Sequence, residues 1–294
     1  MLPLGKLKEN LELNKSLGGI IEALKVGAAI RLRQFQENRP LYPDFLKALK
    51  VCSVMLDKKK ATHPFLEFRK DLPRCVVAIT SDEGFLGELN TSIINKLLDQ
   101  RKESDRDIVV VLGERGAGYL EDIDVSFKKF PGIGDETYLQ DAQKLKNYLM
   151  EEYLKEKFRD IIIIYPKFIS VSAQSSGVVQ LLPVSFGLIS QVEGSGEPVE
   201  LPPAIYEDLL LESSASDVVE GLVNLWSGYL ISNIAWSSKL SELSARLMHL
   251  DSSEQELQKI NQKLGLQYFK HVHTLADKTI REISASRFLK KEEK

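Results

Sequence analysis

The chain has 294 residues, 43% hydrophobic and 28% charged, the proportions of a soluble globular protein of one or two domains. Its net charge of −3 argues against a dedicated nucleic-acid binder, although the first forty residues are locally basic, with seven Lys or Arg against four Glu. No segment approaches the roughly 20 apolar residues that span a bilayer, the opening MLPLGKLKEN lacks the apolar run of a secretory signal, and Cys52 and Cys75 have no CxxC spacing, so free thiols in a reducing compartment and membrane association only through partners are expected.

Pro3 stands where a first helix can start, and helical spacing runs to about Asn38, where Pro40 and Pro43 interrupt it. The period resumes from Asp44 to Asp57, which predicts a two-part N-terminal helix over 1–57, kinked near 40–43. Within it Leu13, Leu17, Ile20, Leu24 and Ala28 recur at spacings of three and four and predict an apolar seam. Residues 58–72 are charged and proline-containing and read as a linker.

From Pro73 the period changes. Cys75 to Ile79 is a short apolar run of the kind buried on both faces of a sheet. A helix over Ser92 to Gln100 follows, then a strand at Ile108 to Leu112, a glycine-containing turn at Gly113 to Gly118 and a strand around Val125 to Phe130. Helix Thr137 to Phe158 leads to a third buried strand, Ile161 to Tyr165. Strands alternating with helices imply an α/β domain over 73–212 with parallel pairing. Phe168 to Pro183 and Val184 to Gln191 read as two edge strands joined by a turn, and Glu193 to Pro203 has loop composition.

No proline follows Pro203, and from about Ser214 to Phe288 the sequence reads as one helix, on the order of 110 Å long at about 1.5 Å per residue. A helix that long needs a partner. Leu240, Leu243, Leu247, Leu250, Leu257 and Leu264 trace a narrow coiled-coil seam between the solvent-type residues Glu242, Arg246, Asp251, Glu254 and Lys259. The seam at the opposite terminus is the expected partner, which makes the arms 1–57 and 213–294 an antiparallel pair.

The motifs for chemistry are weak. The turn from Thr80 to Asn90 follows a strand and opens a helix, where α/β proteins bind phosphate, but it has neither GxxxxGK[ST] nor GxGxxG and carries Asp82 and Glu83, which repel an anion. A structural or protein-contact turn is the favoured reading. Gly113, Gly116 and Gly118 have the wrong spacing for a dinucleotide fingerprint, and Ser195 lacks GxSxG. His271 and His273 point about 200° apart on a helix, and His63 and His249 are isolated. No catalytic, cofactor-binding or metal-ligating set emerges, and a mechanical or structural role is expected.

Several stretches, in order along the chain, resemble the gamma-subunit family of F-type ATP synthases. Lys15-Ser16, Ile20, Ala23, Ala28-Ala29, Arg33, Gln36 and Arg39-Pro40 fall on the family's N-terminal pattern. Ser81-Asp82, Gly84, Gly87 and Leu89-Asn90 match its SDxGxxGxLN turn. Gly113 and Gly116, then Gln180-Leu181-Leu182-Pro183, then Glu242, Ala245-Arg246 and Asp251 match later blocks. There are departures: Glu83 stands where the family usually has arginine, Leu86 where it has cysteine or alanine, and Glu88 where it has glycine. Leu17-Gly18-Gly19 replaces TQK, and Val272 and His273 occupy the place of an arginine-glutamine pair that catches a catalytic subunit. The departures mark a divergent lineage, and an alternative, sodium-translocating branch is one expectation they raise.

The resemblance implies an antiparallel coiled coil of the terminal helices with a Rossmann-like α/β domain inserted between them. It implies a central-stalk rotor without a catalytic site or cofactor, passing torque between a membrane ring and a hexamer of alpha and beta subunits, with epsilon at its base. Such a subunit is peripheral, on the cytoplasmic side of a bacterial inner membrane. The subunit-contact candidates it implies are Arg31, Arg33, Gln36, Ser81, Asp82, Gly84, Leu86, Gly87, Asn90, Val272 and His273. Two other classes stay open: a coiled-coil scaffold with an α/β head and no rotary role, which would self-assemble, and a nucleotide-binding protein, which calorimetry on the isolated chain would reveal.

Overall fold

The computed structural model describes residues 3–37, 43–58, 60–101, 106–190 and 214–292. The kink expected near 40–43 and the loop expected from Glu193 to Pro203 lie outside the described residues. The chain forms two compact units, one of Met1–Ile30 with Leu247–Lys294 and one of Arg31–Arg246.

Helices α1 (Leu4–Glu37) and α2 (Pro43–Lys58) precede a short 3₁₀ turn at Pro64–Leu66. The turn lies in the stretch read as a linker, yet it buries Phe65 among the core side chains. Next come β1 (Cys75–Ile79), α3 (Leu89–Arg101), β2 (Ile108–Leu112), α4 (Glu114–Asp122), β3 (Phe127–Phe130), α5 (Tyr138–Leu154), β4 (Ile161–Ser170), β5 (Ala173–Leu182) and α6 (Phe186–Ser190). Last is α7 (Ala215–Glu292), an uninterrupted helix of 78 residues.

The larger unit is built on a five-stranded sheet of order β3-β2-β1-β4-β5. All pairs are parallel except β4 with β5. The apolar runs of β1, β2 and β4 have no polar face because both faces are covered, as parallel sheets require. Alternation then sorts the side chains. Cys75, Val77, Ile79, Val110, Leu112, Ile161 and Ile163 join the core with α2, α5 and the first turns of α7, while Val76, Ala78, Val109, Val111, Ile162 and Ile164 pack with α3 and Leu120 of α4.

Three expectations for this unit are corrected. The glycine-containing stretch after β2 is helix from Glu114 onward, because Gly113, at φ 98°, turns the chain directly into α4. A Cβ there would stand 2.5 Å from the Thr80 carbonyl oxygen, so the turn requires glycine. Phe168 to Ser170 extends β4 rather than opening a new strand, and β5 returns from Ala173 as a hairpin; Phe186 onward is helical. Glu242 and Arg246, read as solvent-facing, are buried.

The smaller unit is an antiparallel helix pair. Asn14 Nδ2 donates to Asn261 Oδ1 at 2.9 Å, Gly18 lies against Leu257, and Lys25 reaches Asp251 and Glu254, so one index rises as the other falls. The seam on α1 is not the one its most apolar residues trace. Leu13 (58% exposed), Leu17, Ile20 and Leu24 lie outward. The shielded positions are Leu4, Leu7, Leu11, Asn14, Gly18, Ile21, Lys25 and Ala28, also at spacings of three and four. On α7 the seam takes in Leu247, Leu250, Leu257 and Leu264 as expected, and from His273 to Ala285 every residue is exposed.

Candidate functional site

The Thr80 to Glu88 turn leaves the C-terminal end of β1, whose connection crosses through α3 to β2, while the neighbouring β4 turns back as a hairpin into β5. Open α/β sheets bind ligands in the crevice beyond the carboxyl ends of their parallel strands. Here α7 lies across it. Ser238, Lys239 and Glu242 line, with Ile79, Thr80, Leu86 and Asn90, a space of about 10 Å³, no more than one water molecule occupies, and beside it an open pocket of about 260 Å³ is lined by Asp82, Glu83, Ile133, Gly134, Asp135, Lys239 and Glu242.

The turn itself is fixed by hydrogen bonds at Thr80, Ser81, Asp82 and Asn90. Thr80 Oγ1 donates to the Leu112 carbonyl and accepts from Gly116 N–H. Ser81 N–H donates to Asn90 Oδ1, Asn90 Nδ2 donates to Ser81 Oγ, and that hydroxyl donates to the Glu83 carbonyl. Asp82 Oδ1 accepts from Glu114 N–H at 2.9 Å and Gly132 N–H at 3.1 Å, joining the turn to the start of α4 and to the loop after β3. A charged acceptor on backbone donors is among the stronger hydrogen bonds available, and at a helix start it also meets the favourable end of the dipole. Leu86 is buried with Leu89 and Ala245 of α7, Gly87 takes φ 57°, and a Cβ on Gly84 would press on the Arg115 guanidinium.

A chain of alternating charges runs beside the turn. Arg31 pairs with Asp135 at 3.3 Å, Asp135 with Lys239 at 2.8 Å, Lys239 with Glu242 at 2.7 Å, Glu242 with Arg246 at 2.8 Å and Arg246 with Glu83 at 3.0 Å. Its middle is nearly dry, the Lys239 side chain being 8% exposed. Burial works to lower the Lys239 pKa, but the carboxylates of Glu242 and Asp135 outweigh it and hold the pKa above the ordinary lysine value. The ammonium therefore stays charged, and the network ties α1, the loop after β3, the β1–α3 turn and α7 together within this unit.

The structure thus brings together Ser81, Asp82, Gly84, Leu86, Gly87 and Asn90, with Arg31 joined to them through the ion chain. Ser81, Leu86 and Asn90 are buried and structural, whereas Asp82 and Gly87 are exposed. Arg33 is exposed and pairs only with Glu37 one turn on among the contacts described, and Gln36 is exposed beside it. Val272 is half-buried and His273 exposed, at the point on α7 where the helix-pair seam gives out. Reading charge as surface overlooked Asp135, Lys239, Glu242 and Arg246. The signal available was the spacing of Lys239, Glu242 and Arg246, which at i, i+3 and i+7 share one face of α7.

No group of three or more His, Cys, Asp or Glu among the described residues could hold a metal ion, and no helix among them is long and apolar enough to cross a membrane. The arrangement is suited to joining the parts of α1 and α7 that lie in the larger unit to its sheet, and to presenting a fixed turn.

Comparison with known proteins agrees with this architecture. A family model described as ATP synthase matches residues 4–284. The ATP synthase gamma chain of Desulforudis audaxviator is 25% identical over 260 residues, covering 86% of this chain and 87% of that protein. Among solved structures, a chain of the Euglena gracilis mitochondrial ATP synthase OSCP/F1/c-ring assembly superposes with a TM-score of 0.67 at 16% identity, covering 96% of this chain and 93% of the other. A chain of the rotor of the same enzyme gives 0.64 at 17% identity, covering 93% and 98%. With nearly its whole length inside the matched region, the chain belongs to the ATP synthase family.

Proposed function

We propose that this chain is the gamma-type subunit of an F-type ATP synthase, the central-stalk rotor that passes torque between a membrane ring and a catalytic hexamer of alpha and beta subunits. The observation that carries the reading is α7, 78 residues of unbroken helix that continue past the seam with α1 into a fully exposed stretch. A soluble helix bearing Leu275, Ile280 and Ile283 in the open is stable only if something surrounds it, and the inside of a hexamer does so. The names borne by the relatives point the same way.

On this reading the arms 1–57 and 213–294 form the shaft, 58–72 connects to it, and 73–212 is the head, which meets epsilon and the ring. The subunit performs no bond chemistry. Its asymmetry drives the catalytic sites of its partners through successive states, and it is held to the cytoplasmic face of a bacterial inner membrane by those partners alone. Arg31, Arg33, Gln36 and the turn at Ser81 to Asn90 face the hexamer, and Val272 and His273 mark a catch position without the charged grip expected of the family. Arg31 acts there with part of its charge already engaged by Asp135.

Co-expression with the alpha and beta chains of the same organism tests the reading. One copy of this chain is expected in a stable ATP-hydrolysing complex. A stable self-assembled species that ignores alpha and beta would favour the scaffold alternative instead.

A further inference from the structure

His63 opens the 3₁₀ turn at Pro64–Leu66 and is 7% exposed. Its backbone is extended and its side chain caps the turn, Nδ1 accepting the Phe65 N–H at 3.2 Å. A ring nitrogen that accepts a hydrogen bond carries no proton, so this imidazole is neutral, with its proton on Nε2. Serine, threonine, aspartate and asparagine are the usual side chains for such a cap, and none of them changes charge near neutral pH. Histidine makes the same bond conditional on its protonation state.

The turn is a junction between distant parts of the larger unit. The Phe65 ring is buried, with its centroid 4.7 Å from that of His63 and 6.2 Å from that of Tyr153 on α5. The Phe65 carbonyl accepts the Val184 N–H at 2.9 Å, and Tyr153 Oη donates to the Glu67 carbonyl at 2.9 Å. The segment between α2 and β1 is thereby joined to α5 and to the chain after β5. On its other side, His63 Nε2 stands 3.9 Å from a carboxylate oxygen of Glu220 on α7, beyond hydrogen-bond reach. The charged groups acting on the ring are Glu220 and Asp217 of α7 and Glu67 at the end of the turn itself. Burial lowers the His63 pKa below the ordinary histidine value and outweighs these three carboxylates, which raise it.

We propose that His63 is a proton-operated latch, which when neutral holds the segment between α2 and β1 on the core through its cap on Phe65 and when protonated releases it. One proton from solvent adds to Nδ1, which then faces the Phe65 N–H as a second donor, and the cap opens. The imidazolium gains Glu220 and Asp217 in exchange, so the ring has a charged partner waiting in the acid state. The latch lies within the larger unit and does not depend on the rotor reading. With the folded pKa lowered, the stability contributed by the neutral ring is present above the unfolded value and is lost as pH falls from there toward the folded one.

The test is hydrogen exchange on the full-length chain between about pH 7.5 and about pH 5, read at the Phe65 and Val184 amides and corrected for the intrinsic exchange rate. Protection is expected to fall toward the acid end, approaching roughly tenfold per pH unit below the folded pKa, because each opening takes up one proton. His63→Asn puts an amide oxygen where Nδ1 stands and does not titrate, so protection at both amides is expected to stay level across the same range. The ring-nitrogen NMR signals of His63 in the unsubstituted chain give a second readout that needs no variant, with Nδ1 expected to be unprotonated at neutral pH. Unchanged protection in the unsubstituted chain, an equal loss in His63→Asn, or a proton on Nδ1 at neutral pH would each overturn the latch.

Discussion

Two lysines in this chain do the same thing in different surroundings. Lys239 lies between Asp135 and Glu242 in the larger unit, and Lys25 between Asp251 and Glu254 in the smaller. The first side chain is 8% exposed and the second 32%. That difference separates a structural clamp from a register mark. Around Lys239 the charges are out of water, so each needs its partners to remain buried at all. Around Lys25 solvent screens the pair, and its contribution is to favour one alignment of the helices over its neighbours. The seam there contains Asn14 opposite Asn261 and Gly18 opposite Leu257, which hold less apolar surface than a leucine seam would. In the larger unit the sheet core, with Cys75, Val76, Val77 and Ala78 at 0% exposure, supplies the stability, and specificity is layered on top of it.

The sharpest break in this comparison is at Glu242. Glu242→Ala leaves Lys239 with Asp135 alone and Arg246 with the exposed Glu83 alone, and is expected to cost up to about 3–5 kcal/mol in urea unfolding, the range for a buried ion pair that loses one partner. A cost near that of an exposed pair would mean the network is surface chemistry after all. The double variant Asn14→Leu with Asn261→Leu should raise the thermal midpoint of the helix pair and weaken its alignment, since a polar seam pair fixes register at some cost in stability. Distance distributions between spin labels on the two helices would broaden if so.

The smallest effect is electrostatic. Hydrogen bonding to Asp251, then to Glu254, raises the Lys25 pKa, and the bond from Lys25 lowers that of Asp251. A cation with a raised folded pKa contributes stability below its unfolded value and loses it as pH rises through the folded one. A carboxylate with a lowered folded pKa contributes above its unfolded value and loses it as pH falls. The helix pair should therefore melt at a constant temperature across neutral pH and slightly lower on strong acidification or in strong alkali. Lys25→Ala should flatten part of the acid limb, most visibly at low salt.

The same contrast explains what was legible in the sequence. The strands at Cys75–Ile79 and Ile108–Leu112 could be read to the residue, because a strand buried on both faces leaves an unbroken apolar run. The length of α7 was legible from the absence of proline. The phase of α1 was not. Its shielded face includes Asn14, Gly18 and Lys25, and its outward face includes Leu13, Leu17, Ile20 and Leu24, so a reading led by apolarity selects the wrong stripe. The turn at Ser81 to Asn90 stood out by motif, yet the residues that fix it to α7, namely Lys239, Glu242 and Arg246, were hidden for the same reason in reverse. Charged residues on a long helix look solvated unless the sequence reveals what packs across them, and Asp135 and Glu83 lie too far away in the chain to do so.

The measurement that bears most directly on the rotor reading uses the two thiols as they stand. Cys52 is exposed and Cys75 buried, so a maleimide-linked probe attaches to α2 without substitution in this chain. In a complex with cysteine-free alpha and beta subunits fixed to a surface, ATP is expected to drive unidirectional, stepwise rotation of that probe. A complex that hydrolyses ATP while the probe stays still would contradict the account.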